Sequence, residues 1–226
     1  MIAKNIQKIL SEIAKFPQKV NLVVVTKDRS VEEIIEVLNS GITNIGENRI
    51  QEAEKKYSEL RAQNSVFNIK FHLIGHLQSN KVKKAVELFD VIQSVDSFEL
   101  LKKIDAEAKK QNKKIEIMLQ VNIFNDEKKF GFNPNEIIDF LKKNPDIASK
   151  YSNIEITGLM TIAKQNISEK ETLQGFQDLE NLKNSLNQLK IKNLEFRILS
   201  AGMSHDYLLA LQSGSTMLRI GSKIFE

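Results

Sequence analysis

The 226-residue chain contains no cysteine. Disulfides, thiolate metal sites and thiol nucleophiles are therefore excluded. Long apolar runs are also missing, and none approaches the roughly 18 residues of a membrane-spanning helix. The opening MIAKNIQKIL lacks the hydrophobic region of a signal peptide. Arginine is scarce: Arg29, Arg49, Arg61, Arg197 and Arg219 are the only five among 33 Lys+Arg, set against 29 Asp+Glu, and the lysines are spread along the whole chain. A nucleic-acid surface would cluster its charge and favour arginine, so the net charge of +4 reads as solvated surface. No Pro/Gly/Ser-rich linker, sequence repeat or low-complexity segment divides the chain. Residues 1–226 are expected to form one domain, in a reducing cytoplasm, with neither a membrane nor nucleic acid as partner. With 41% hydrophobic and 27% charged residues, the composition is globular rather than disordered.

What the chain does have is alternation. Short β-branched or apolar runs at 22–26, 43–46, 71–74, 91–94, 115–121, 154–160, 194–199 and 216–220 read as strands. Amphipathic patterns near 31–40, 48–62, 78–88, 97–111, 134–143, 169–189 and 204–212 read as helices between them. Ile2, Ile6, Ile9 and Ile13 share one stripe of a further, N-terminal helix. Runs such as Leu22-Val23-Val24-Val25 are apolar throughout, as in a parallel sheet covered by helices. A doubly wound open sheet shares this alternation. Eight strands with seven intervening helices is the count of a (β/α)8 barrel, and a single TIM-type α/β barrel with an extra N-terminal helix is the expected fold class. Residues 122–133 are expected to form a long polar loop of that barrel.

Function in such a barrel gathers at the C-terminal ends of the strands. The polar residues there are Lys27 after the first strand, Gly46-Glu47-Asn48 after the second, Gly75 through Asn80 after the third and Asn122 after the fifth. Ser200-Ala201-Gly202-Met203-Ser204 follows the seventh, and Arg219-Ile220-Gly221-Ser222 closes the eighth. Loops after strands seven and eight often bind phosphate. Here Gly202 and Gly221 let backbone amides approach an anion, Arg219 supplies a fork of donors, and Ser204 is expected to open a helix with Asp206 in its first turn. An N-cap serine and a turn glycine are the ordinary alternative; two such loops at the two expected strands favour phosphate. Lys27 would lie beside that site, because the first and eighth strands are neighbours in a closed barrel. A lysine in a partly desolvated mouth can act as a Schiff-base nucleophile. A phosphorylated aldehyde spans those two points, and pyridoxal 5′-phosphate has that shape. His72 and His76 have metal-like spacing, but on a strand and its following loop they would not share a face. His205-Asp206 lacks an accompanying serine elbow.

Seven segments in order resemble the YggS/PROSC family of pyridoxal phosphate homeostasis proteins, also called alanine racemase N-terminal-domain-like. They are Val24-Val25-Thr26-Lys27, Ile45-Gly46-Glu47-Asn48 with Gln51-Glu52, Phe71 through Lys81, Gln120-Val121-Asn122, Gly158 through Ile162, Leu199 through Ser204, and Gly214-Ser215-Thr216 through Gly221. The resemblance implies a modified TIM barrel with pyridoxal 5′-phosphate held at its mouth as an aldimine on Lys27. It places Ser200, Gly202, Ser204, Arg219 and Gly221 on the phosphate and ring-nitrogen contacts, and Asn48 and Met160 beside the cofactor. Asp28, Arg49 and Ala201 depart from the family pattern around the mouth.

The expectation is a non-catalytic carrier that balances B6 vitamers, with apo pyridoxal-phosphate enzymes as partners and a monomeric state. The alternative is a single-domain amino-acid racemase. Racemisation needs two bases flanking the α-carbon. Lys27 can be one; Tyr57, Tyr151 and Tyr207 fall in helical or linking segments rather than at strand ends.

Overall fold

The computed structural model describes residues 1–62 and 67–226. Eight parallel strands among them close into a barrel in sequence order. They are β1 (Asn21–Val25), β2 (Asn44–Glu47), β3 (Lys70–Leu73), β4 (Val91–Val95), β5 (Ile115–Gln120), β6 (Ile154–Met160), β7 (Ile198–Ser200) and β8 (Met217–Ile220). The barrel closes through β1 and β8, with Val24 opposite Ile220.

The helices are α1 (Ile2–Ile13), α2 (Val31–Asn39), α3 (Ile50–Ala62), α4 (Val82–Leu88, after a 3₁₀ turn at Ser79–Lys81), α5 (Phe98–Lys110), α6 (Pro134–Lys143), α7 (Ile147–Lys150), α8 (Glu169–Gln188), α9 (Tyr207–Gln212) and α10 (Ser222–Phe225). Local chemistry starts several of them. Ser30, Asn133 and Ser168 each complete a capping box with a glutamate three residues on. β8 is followed by the short α10. α1 packs against α2 and α10 through Ile2, Ile6, Ile9 and Ile13.

Two apolar layers result. The larger lies between the strands' outer faces and the helices. The smaller gathers Val23, Val91, Met118, Met160 and Met217 from five different strands, and so fills the barrel's interior.

Two of the boundaries that differ from the sequence reading have a clear local cause. β7 starts at Ile198, not at 194. Asn187 of α8 clasps the backbone of Phe196 at both its N–H (2.8 Å) and its carbonyl (3.1 Å), so those groups are taken before a strand neighbour can use them. The helix expected from 204 begins at Tyr207, because the Asp206 carboxylate accepts from the Met203 N–H at 2.5 Å and holds 203–206 as a turn. Ser204 therefore does not open the helix. The loop at 122–132 folds back on β5, with Phe132 N–H on the Gln120 carbonyl (2.8 Å) and Asn122 N–H on the Phe132 carbonyl (3.0 Å).

Candidate functional site

Val23 faces the barrel interior, the two-residue period of the strand carries Val25 onto the same face, and Lys27 follows two residues beyond the strand's end. Thr26 points the opposite way. Its hydroxyl donates to Glu47 Oε1 (2.7 Å), and Lys56 Nζ bonds both that oxygen (2.8 Å) and the Thr26 carbonyl (2.7 Å). Burial pushes the Glu47 carboxyl up, against the lowering pull of Lys56 and Thr26. The backbone before Lys27 is thus pinned from the helical side. Lys27 itself is 46% exposed, with Asp28 3.6 Å away. Asp28 is left-handed (φ 57°), so the chain turns sharply just after the lysine.

On the other side of the seam, β8 alternates in the same way. Met217 and Arg219 face inward, while Leu218 and Ile220 join the outer layer. Gly221 lies against Val25: a Cβ there would stand 3.1 Å from the Val25 carbonyl oxygen. Gly202 has φ 97°, and a Cβ on it would meet Ala210 Cβ at 2.7 Å and Leu218 Cδ2 at 2.9 Å. Ser204 Oγ accepts from the Lys223 N–H (3.4 Å), tying the loop after β7 to the one after β8.

Arg219 is 3% exposed. Nη1 donates to Ser200 Oγ (2.6 Å) and Nη2 to the Thr161 carbonyl (2.6 Å). Ser200 is paired in register with Met160, which is fully buried in the inner cluster. None of the ion pairs among the described residues includes Arg219, and burial lowers its pKa to about 10 against a partial offset from Asp206. The guanidinium sits inside the barrel below the two glycine loops, so two of its nitrogens are already committed.

The sequence-derived residues thus converge. Lys27, Met160, Ser200, Gly202, Ser204, Arg219 and Gly221 lie at the C-terminal end of adjoining strands. Asn48 is at the same rim beyond β2, exposed, with Gly75 pressed against its backbone, where a Cβ would be 2.1 Å from the Asn48 carbonyl oxygen. A hollow of about 300 Å³ opens there, lined by Asn48, Arg49, Gln51, His76, Gln78 and Lys81. His76 bonds Asp96 (3.0 Å) and stacks on the exposed ring of Phe130 at 3.6 Å. His72 lies inside the barrel, 1% exposed, bonded to Asn44 and Gln93. Sequence reasoning passed over Gln93. Its signal was a lone amide within the apolar run Val91-Ile92-Gln93.

A family model for the alanine racemase N-terminal domain matches residues 1–226. The chain belongs to that family. Within the alanine racemase N-terminal-domain family, a pyridoxal phosphate homeostasis protein from Synechocystis sp. is 38% identical over 213 residues, 94% of each chain. One from Mus musculus is 32% identical over 230 residues, 97% of this chain and 82% of its own. PipY of Synechococcus elongatus, solved with and without PLP, is 34% identical and covers all of both chains, with TM-scores of 0.88 and 0.90. Alanine racemase of Clostridium difficile shares the fold alone, at 14% identity and TM-score 0.71 over 98% of this chain and 59% of that one. The resemblance drawn from the motifs and the barrel drawn from the strand count are both borne out.

For this family member, the residues fit a phosphate-bearing aldehyde. The buried Arg219 guanidinium is in no ion pair among the described residues and is only partly offset by Asp206, so a desolvation cost remains that an acceptor group on a ligand relieves. Gly202, at positive φ and packed against Ala210 and Leu218, leaves no room for a side chain in the loop after β7. Lys27 follows the strand that adjoins β8.

Proposed function

We propose that the protein holds pyridoxal 5′-phosphate and serves the homeostasis of B6 vitamers as a carrier. The observation that carries this reading is the β1–β8 register, which sets Val23, four residues before Lys27, opposite the buried Arg219, a guanidinium in no ion pair among the described residues. The relatives named for pyridoxal phosphate homeostasis, and PipY with PLP bound, support it. Lys27 would hold the cofactor through its aldehyde carbon as a reversible imine, with water as the leaving group. Asn48 and Met160 flank the cofactor. Backbone amides around Gly202, Ser204 and Gly221 take the phosphate, while Arg219, anchored by Ser200, serves the ring.

The working unit is one barrel domain over 1–226, a cytoplasmic monomer that passes cofactor to apo-enzymes. No helix among the described residues is long and apolar enough to cross a membrane. The racemase reading needs a second base opposite Lys27. Tyr57 stacks on Phe71 in the outer layer, and Tyr207 donates its hydroxyl to Glu12 of α1. Burial and that carboxylate push the Tyr207 phenol up, away from service as a base. Tyr151 precedes β6, at the end of the barrel opposite Lys27.

The test mixes cofactor-loaded protein with an apo pyridoxal-phosphate enzyme, and assays the loaded protein for interconversion of L- and D-alanine. Recovered activity of the acceptor without alanine turnover is expected. Multiple racemase turnovers with no recovery would overturn the carrier.

A further inference from the structure

A line of polar side chains threads the otherwise apolar barrel from its N-terminal rim to its mouth. It starts at Asn44, the first residue of β2, and ends at the Thr161 carbonyl beyond β6. The links are Arg219 Nη1 to Ser200 Oγ (2.6 Å), Ser200 Oγ to Gln93 Oε1 (2.7 Å), Gln93 Nε2 to His72 Nδ1 (3.0 Å) and His72 Nε2 to Asn44 Oδ1 (3.0 Å). Gln93 and Ser200 are fully buried, and His72 is 1% exposed.

The chemistry allows one direction only. A guanidinium donates and never accepts, so Ser200 accepts from Arg219 and has its single proton left for Gln93. The Gln93 nitrogen also lies 3.3 Å from the Met217 sulfur, which can only accept, so the amide group faces His72 and Met217 and its oxygen faces Ser200. His72 Nδ1 must then carry a lone pair, and Nε2 the proton given to Asn44. Burial, which holds the imidazole pKa near 3, keeps it neutral. Each donor is used once, and bonds of one polarity reinforce each other in a low-dielectric interior.

We propose that Gln93 and His72 are positioning residues for the cofactor: by consuming the Ser200 proton they make Ser200 an anchor rather than a phosphate donor, and fix which edge of Arg219 faces the mouth. The inference rests on the pyridoxal phosphate reading above, but its direction is testable without any ligand.

The first test is ¹⁵N NMR of the histidines in the cofactor-free protein, with His72 assigned by its loss in His72→Gln. The expected result is a neutral ring protonated on Nε2 at pH 7. A ring protonated on Nδ1, or on both nitrogens, overturns the chain. The second test loads wild type, Gln93→Met, Ser200→Ala and the double variant with pyridoxal phosphate, and reads the visible band and the affinity. Each single variant is expected to shift the band and weaken binding about tenfold. The double variant should be no worse than the weaker single, because either break releases the same Arg219. Competition by inorganic phosphate should move less than twofold. An unshifted band in a folded Gln93→Met, or additive losses in the double variant, would overturn the positioning role. Failure of the wild type to take up pyridoxal phosphate, with the expected His72 tautomer present, would overturn the cofactor reading and leave the chain standing as an anchor of Arg219.

Discussion

Lys56 Nζ lies 2.7 Å from the carbonyl oxygen of Thr26, the residue immediately before Lys27. The same ammonium bonds Glu47, whose side chain is fully buried. The helix that follows β2 therefore reaches back and fixes the backbone from which the mouth lysine projects.

Removing that ammonium strands a carboxylate inside the protein. Lys56→Met is expected to cost about 3 kcal/mol, the range for breaking one side of a buried pair. The sign of the pH effect follows from Glu47, whose folded pKa is raised. The folded state then binds the proton more tightly than the unfolded one, so stability falls as pH rises above the unfolded value of about 4.5. Loss of Lys56 widens that window. Thermal unfolding at pH 5 and pH 7.5 should show a smaller deficit against wild type at pH 5; an equal deficit would count against the Glu47 assignment.

His72 carries the opposite sign. Its folded pKa is held near 3 by burial, while the unfolded ring titrates near 6.5. Between those values the unfolded state binds the extra proton, so stability is lost as pH falls, by at most about 1.4 kcal/mol per unit. In His72→Gln, which cannot titrate, urea midpoints between pH 6.5 and 4 should fall less steeply than in wild type.

Arg219 behaves differently from a structural arginine. It has no carboxylate among the ion pairs of the described residues, so Arg219→Met should leave the cofactor-free protein within about 1 kcal/mol of wild type, the lost donors offset by relief of a buried charge. Pyridoxal phosphate affinity should nevertheless drop about tenfold to a hundredfold, the value of a charge-assisted contact of about 1.5–3 kcal/mol. Paired urea melts and binding titrations check both halves.

Two of the positive-φ glycines, Gly202 and Gly41, make an internal comparison. Gly41 has φ 84° and open space, with nothing within 4 Å of where a Cβ would stand, whereas Gly202 adds contacts below 3 Å to the same conformational strain. Gly41→Ala should cost about 1 kcal/mol and Gly202→Ala about twice that or more, with only the latter weakening binding of pyridoxal phosphate. Thermal melts of the two variants, with a binding titration for each, check the contrast.

The barrel was legible because its signal is local: apolar runs such as 22–25 and 154–160, separated by amphipathic stretches, need no tertiary information. The placing of Lys27, Gly202, Arg219 and Gly221 at or just beyond strand ends was legible once the strands were. The start of β7 was not, since a single side chain on α8, Asn187, decides it from nine residues away. The start of α9 was missed because Asp206 bonds backward to Met203 instead of continuing the helix that Ser204 suggests. The inner polar line joins Asn44, His72, Gln93, Ser200 and Arg219, which are brought together only when the barrel closes.

The central claim is that Lys27 is the residue that holds the cofactor, and borohydride trapping tests it most directly. Protein loaded with pyridoxal 5′-phosphate is reduced, digested and mapped by mass spectrometry, beside Lys27→Ala treated identically. The account predicts one stable pyridoxyl adduct, on Lys27, and loss of the visible imine band in a folded Lys27→Ala. An adduct on a different lysine in the wild type, or a full imine band in Lys27→Ala, would contradict it.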